Sequence, residues 1–310
     1  MRALREVWGQ TLADLGDTNP SLLVLDPDVG NSTKADIFAA AYPERFLQLG
    51  IAEQNAIGTA VGLASQGFVP WVSSFSVFVT HRAIDQIRML VAQTGANVKI
   101  AGAYAGLLTG LTGRTHQDVE DIAILRAMPG LTLLCPADPA ECAAMVRWAT
   151  AYEGPVYMRI ARDPEPDVFE EDNYEFVPGK VYTLRHGGDL TLVSTGVQTT
   201  RVMGAATLLS GEGVEATVVH VPSLKPLDEA GLRSALGGTP LIVSVEDHSV
   251  IGGLGGLVAE VISEFGGSAP LKRIGLNDVW TESGPNDFLL DKYGLSQAKV
   301  AAQVQKYLAG

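Results

Sequence analysis

The sequence predicts an α/β protein of two domains, each a mostly parallel sheet flanked by helices. Three observations predict it. Short β-branched or leucine-rich runs alternate with helical patterns along the chain, an acidic proline-bearing stretch interrupts that alternation once, and the composition supplies two cores. With 310 residues, 46% hydrophobic and 18% charged, the chain can bury roughly 75% of its extended surface.

In chain order, the runs at 22–25, 98–100, 131–134 and 156–160 read as strands, followed by those at 190–193, 216–221, 241–245 and 271–274. They are β-branched or leucine-rich, as strands buried in a parallel sheet are. Helical spacing covers 2–16, 53–66, 80–94, 138–152, 199–211 and 253–266. The rhythm breaks at 163–188, where DPEPDVFEEDNYEFVPGK offers few apolar residues to pack. This places a first domain at 1–165, a linker at 166–188 and a second domain at 189–310.

Charge and cysteine usage exclude several classes. The balance of 22 Lys+Arg against 35 Asp+Glu gives −13, which sets the chain against nucleic-acid phosphates and anionic membrane surfaces. Cys135 and Cys142 form no CxxC pair, and no His cluster accompanies them, so no disulfide framework, structural zinc site or other metal ligand set is expected. A reducing cytoplasm fits best. The start lacks an apolar signal region, and no 18-residue apolar run occurs.

GxxxxGK[ST], GxSxG, HExxH and Gly-Asp-Gly are all absent. The glycines at 252–256 have the wrong spacing for a dinucleotide fingerprint, with Glu246, Asp247 and His248 placed where a pyrophosphate would meet carboxylates; close helix packing reads better. Glu246 to His248 is left without a role, and Ser194-Thr195-Gly196 reads as a helix cap.

Glu53, in Gly50-Ile51-Ala52-Glu53-Gln54-Asn55, puts a carboxylate at the entrance to the small-residue helix AIGTAVGLA, which is expected to be deeply buried. A buried carboxylate needs a partner, although a helix-start residue meeting free amides is the plainer alternative. Phe75 and Phe78 are three apart, a spacing that shares a helical face and equally suits core. Gly106, Gly110 and Gly113 make a flexible loop that leads to Arg114-Thr115-His116-Gln117-Asp118 and suits a ligand rim.

Taken in order, GIAEQN, FSVF, RTHQDVEDIAILRAMPGLTLLCPAD, GPVYMRIAR and VEDHSVIGGLG resemble the transketolase family over essentially the whole chain. The resemblance makes 1–165 a pyrimidine-binding domain and 189–310 a transketolase C-terminal domain. It implies thiamine diphosphate as cofactor, with Mg2+ held on a partner, because the family's diphosphate-binding N-terminal domain is not in these residues. The expected assembly is this chain as the small subunit with an N-terminal transketolase subunit, in a dimer of heterodimers acting on sugar phosphates.

Residue by residue, the resemblance implies that the Glu53 carboxyl bonds the cofactor's aminopyrimidine, favouring the tautomer that removes the thiazolium proton. Phe75 and Phe78 then pack on the ring with His81 one turn on, where the family often has Tyr. Asp28 matches an aspartate near the cofactor; its own surroundings, rich in Asp, Gly and Asn, read equally as an Asx turn. Arg5, Ser32 and Arg162 match the sugar-phosphate contacts, a task that suits arginine's planar fork. His116 matches the histidine near the reacting carbon, with a satisfied loop histidine as the alternative. Tyr104 and Thr112 stand where the family commonly has a histidine and an aspartate that bind substrate hydroxyls. Phosphate contacts thus stay while hydroxyl contacts change, which points to an unusual, branched, deoxy or modified sugar. The alternatives are the beta subunit of a 2-oxo acid dehydrogenase decarboxylase component, which has no reason to assemble Arg5, Ser32 and Arg162, and a non-catalytic scaffold, which has no reason to keep Glu53.

Overall fold

The computed structural model describes residues 1–171, 174–264 and 269–309, so residues 172 and 173 of the expected linker, and 265–268 and 310 of the expected second domain, lie outside the described residues. Buried apolar runs become strands and the patterned segments between them become helices, in a three-layer α/β arrangement for each of two sheets.

The first sheet has the spatial order Ser223–Lys225, Thr132–Leu134, Val156–Ile160, Lys99–Ala103, Val69–Phe75, Leu22–Asp26 and Phe46–Gln48. All of its pairings are parallel except that of Ser223–Lys225. The second has the order Leu271–Leu276, Ile242–Ser249, Leu190–Ser194, Ala216–His220 and Tyr182–Arg185, with only the last strand antiparallel. Two strands cut across the expected boundaries. Tyr182–Arg185 lies in the interval read as linker yet pairs with Ala216–His220. Ser223–Lys225, from beyond the linker, closes the edge of the first sheet.

Helices Leu4–Gly16 and Pro139–Ala151 pack together on one face of the first sheet, where Trp8 meets Trp71 edge-on at 6.1 Å. Lys99 is fully buried, and its Nζ donates to Asn97 Oδ1 (2.6 Å), Tyr152 O (2.7 Å) and Gly154 O (2.5 Å). It thereby ties a central strand to the chain leaving helix Pro139–Ala151.

The helix Glu53–Ala64 differs from expectation. It buries Glu53, Ala56, Ile57 and Ala60 but leaves Gln54, Asn55 and Gly62 exposed. Small residues pack as well in a core as on a close-approach surface, so composition alone could not assign the face. Ser194 and Thr195 also do not cap the next helix. Gln198–Ser210 starts without a side-chain cap, Ser194 Oγ meets Thr199 Oγ1 at 2.9 Å, and Thr195 donates to Val221 O.

The fold's main consequence is the shared edge. Leu22–Asp26, Val69–Phe75, Lys99–Ala103 and Val156–Ile160 are parallel neighbours in the first sheet. Residues just past their carboxyl ends therefore meet, which is where parallel α/β sheets hold ligands.

Candidate active site

Three of those four strand ends deliver a side chain. Phe75 ends its strand, Tyr104 follows Ala103, and Arg162 follows Ile160 by two residues. Tyr104 takes a left-handed backbone conformation, φ +60°, which costs a non-glycine residue about 1 to 3 kcal/mol and persists only where its surroundings over-determine it. Here they do. Its ring stacks on Phe75 at 4.2 Å, its hydroxyl accepts from Arg5 Nη1 at 2.7 Å, and Arg5 and Arg162 each place Cζ 5.5 Å from its ring centre. Arg5 also donates to Ser32, but to its carbonyl (2.8 Å); the Ser32 hydroxyl faces Asn31.

Phe75 and Phe78 lie 5.3 Å apart, although Phe75 is the last strand residue and only Phe78 is helical. His116 meets both rings edge-on, at 5.6 and 5.3 Å, and its Nδ1 shares a 2.8 Å hydrogen bond with the Thr115 hydroxyl. Burial and then the Arg82 charge hold His116 below the ordinary imidazole value.

Glu53 is 3% exposed and is the first residue of its helix, yet its carboxylate does not cap free amides. Oε1 accepts from Arg82 Nη1 at 2.7 Å, and the Arg82 guanidinium lies 4.0 Å above the Phe78 ring. Among the described residues no donor reaches Oε2. Sequence reasoning passed over Arg82; its place four residues after Phe78, on one helical face, was the available signal.

His81 turns to Asp118, Nε2 to Oδ1 at 3.5 Å. That carboxylate holds His81 above the ordinary imidazole value. Burial pushes the Asp118 carboxyl up, but hydrogen bonds from His81 and Ser76 outweigh it and leave the group below the usual range. Ser76 Oγ reaches Asp118 Oδ2 at 2.5 Å and Tyr157 Oη at 2.7 Å. Tyr157 donates to Asp121, which Arg159 Nε also meets at 3.0 Å. Arg159 Nη2 continues to the Asp247 carbonyl at 2.7 Å in the second domain. The role left open for 246–248 is thus structural. Glu246 accepts from the amides of Leu254 and Gly255, Asp247 accepts from Leu107 N, and buried His248 is pushed down to about 4 by desolvation. One donor atom each from His81, Asp118 and Glu120 lies within 4.8 Å of the others; the His81–Asp118 ion pair accounts for the closeness, and we assign no metal to it.

Two expected residues stand apart. Asp28 is exposed at φ +69° and accepts from Gln48 Nε2 at 2.9 Å. The carboxylate that ties this loop is that of Asp26, which accepts from the amides of Val29 and Gly30, three and four residues on. Exposed Thr112 turns its hydroxyl back to Thr109 (2.9 Å to Oγ1), and no hydrogen bond or ring contact joins it to Tyr104. The glycine loop is not free. Gly106, Gly110 and Gly113 all have positive φ, and the second domain holds the loop: Ser283 Oγ donates to Leu111 O (2.5 Å) and Thr281 Oγ1 to Gln117 Oε1.

The family pattern of the transketolase pyrimidine-binding domain matches residues 1–164, and that of the transketolase C-terminal domain matches residues 179–300. The chain is 41% identical over 306 residues to a putative transketolase C-terminal section of Methanocaldococcus jannaschii, a match covering 98% of this chain and 96% of that protein. It is 38% identical over 298 residues to a 6-deoxy-6-sulfo-D-fructose transketolase subunit of a Clostridium species, covering 96% and 92%. Among solved structures, a split-gene transketolase described as an inactive β4 tetramer superposes with a TM-score of 0.91 at 44% identity, over 100% of this chain and 99% of that one.

Proposed function

Because the chain belongs to the transketolase family, as the C-terminal subunit of a split transketolase, we propose that with an N-terminal partner it transfers a two-carbon ketol unit between sugar phosphates, at least one of them an unusual sugar. The observation that carries this reading is the convergence of Arg5 and Arg162 on Tyr104, whose ring stacks on Phe75 of the aromatic cluster beside Glu53. Two guanidinium groups at one strand edge suit a phosphate, and a 2-oxo acid dehydrogenase subunit has no use for them.

The family is thiamine diphosphate-dependent, and the residues present fit the cofactor's pyrimidine. A nearly buried carboxyl keeps one oxygen without a donor, next to an aromatic ring. Bound there, the cofactor would supply the carbon nucleophile that carries the ketol unit. The Mg2+ and diphosphate contacts fall to the partner, since the chain contains no Gly-Asp-Gly. The Clostridium relative's substrate name, and the Tyr104 replacement, support a modified sugar. That a split-gene transketolase of 44% identity is inactive as a β4 tetramer supports the need for a partner, and we propose a dimer of heterodimers.

Within that frame each residue has a task. Glu53 Oε2 holds or releases a proton toward a bound ring nitrogen while Arg82 fixes Oε1. Phe75 and Phe78 exclude water from that exchange, and His81, whose protonated form Asp118 favours, stands one turn on. His116, with Nδ1 engaged by Thr115, offers Nε2 to an oxygen at the reacting carbon. Arg5 and Arg162 grip the phosphate, with Ser32 fixing the angle of Arg5 through its carbonyl.

Glu53→Ala tests the reading. Turnover by the assembled complex should fall about 10² to 10⁴-fold, the range for a positioned acid or base, with cofactor binding retained. Unchanged turnover would mean that this subunit is a scaffold.

A further inference from the structure

The second domain reaches into the phosphate end of this site through one side chain, Asn286. It opens the helix Asn286–Lys292, and its Nδ2 donates to Leu108 O at 3.2 Å and to Asp163 Oδ2. Both neighbours are acceptors, so only the amide nitrogen fits there. Its oxygen is left buried without a partner against Gly110, where an added Cβ would lie 2.4 Å away. The other oxygen of Asp163 accepts from Arg162 Nη1 at 2.8 Å. One carboxylate therefore joins a second-domain amide to the guanidinium that stands over Tyr104.

From this we infer that Asn286 is a positioning residue for the anionic end of the substrate: it fixes the rotation of Asp163, and Asp163 fixes the plane of Arg162. The inference rests on the reading that Arg162 grips the phosphate. Its physical basis is preorganisation. A guanidinium held in one plane loses little freedom when a phosphate arrives, whereas one on an unanchored carboxylate must be ordered first. Asn286 touches neither the reacting carbon nor the Glu53 cluster, so its loss should weaken anion binding and leave the chemical step alone.

The probe is inorganic phosphate, titrated by ³¹P NMR into the full chain, where no turnover is needed. Arg162→Ala sets the reference for a lost phosphate ligand. Asn286→Ala should weaken phosphate binding about tenfold, as expected for one hydrogen bond to a charged group. Asn286→Asp nearly preserves shape but sets an acceptor against the Leu108 carbonyl and Asp163, and it should weaken binding further. Space filling would predict the reverse order, so the isosteric variant keeps the test decisive even where Asn286→Ala folds poorly. In the assembled complex, both Asn286 variants should raise KM for a sugar phosphate and leave kcat within twofold. Weakening by Arg162→Ala without weakening by either Asn286 variant would overturn the positioning role while the phosphate reading stands. No weakening by Arg162→Ala would overturn the phosphate reading, and this inference with it.

Discussion

A carboxylate as buried as Glu53 is stable only if something answers its charge, and Arg82 does so at 2.7 Å. A second pairing, His81 with Asp118, makes the residue scale testable by pH. The folded-state value of His81 is raised by Asp118. The stability this pair contributes is therefore fully present below the ordinary imidazole value of about 6.5 and is lost as pH rises through the raised one. His81 is 40% exposed at its side chain, so water screens the pair and the contribution stays under about 1 kcal/mol. Urea midpoints of wild type and His81→Gln should differ slightly at pH 6 and converge by pH 9; a gap constant with pH would show that the histidine acts by packing alone. Glu53, Phe75, Phe78, His116, Arg5 and Arg162 were legible because motif order marks them. Arg82 and Asp118 were not singled out, because their roles are relations to side chains far along the chain.

Elements repeat the same division. The strand 156–160 was read to the residue, since β-branched and large apolar residues fill four of its five positions. Strands Val69–Phe75 and Phe46–Gln48 escaped, one carrying a proline and two serines and the other only three residues long. Lys99 shows what a single charged side chain can do for element docking. Burial pushes its ammonium down to about 7, and three oxygens surround it. Replacing it through Lys99→Met strands those acceptors and should cost about 3 kcal/mol in urea unfolding. An unchanged midpoint would mean that water takes the vacated place.

At the scale of the molecule, the two sheets are not independent. Ser223–Lys225 crosses from one half to the edge of the other, Arg159 reaches Asp247, and Asn286 reaches Asp163. The second domain therefore shapes the candidate site. The proposal gives the diphosphate half of the site to a partner, which makes assembly the decisive whole-molecule property. Thiamine diphosphate with magnesium, titrated by calorimetry into this chain alone, should give no tight binding; the same titration into its mixture with the N-terminal subunit should saturate. Tight binding by the lone chain would overturn the divided site, and none in the mixture would favour the scaffold.

The sequence by itself determined the α/β rhythm, the order of the family motifs and the residue types that the chemistry needs. These are local properties, carried by periodicity and by neighbours a few positions apart. Only the tertiary structure decided that Arg5, Tyr104 and Arg162 share one edge, that Asp26 rather than Asp28 holds the loop amides, that Thr112 stands apart, and that Asn286 holds the arginine's partner. Those facts follow from strand order and domain docking. Parallel neighbours bring together chain ends that are remote in sequence, and no hydrophobic pattern encodes which strand lies beside which.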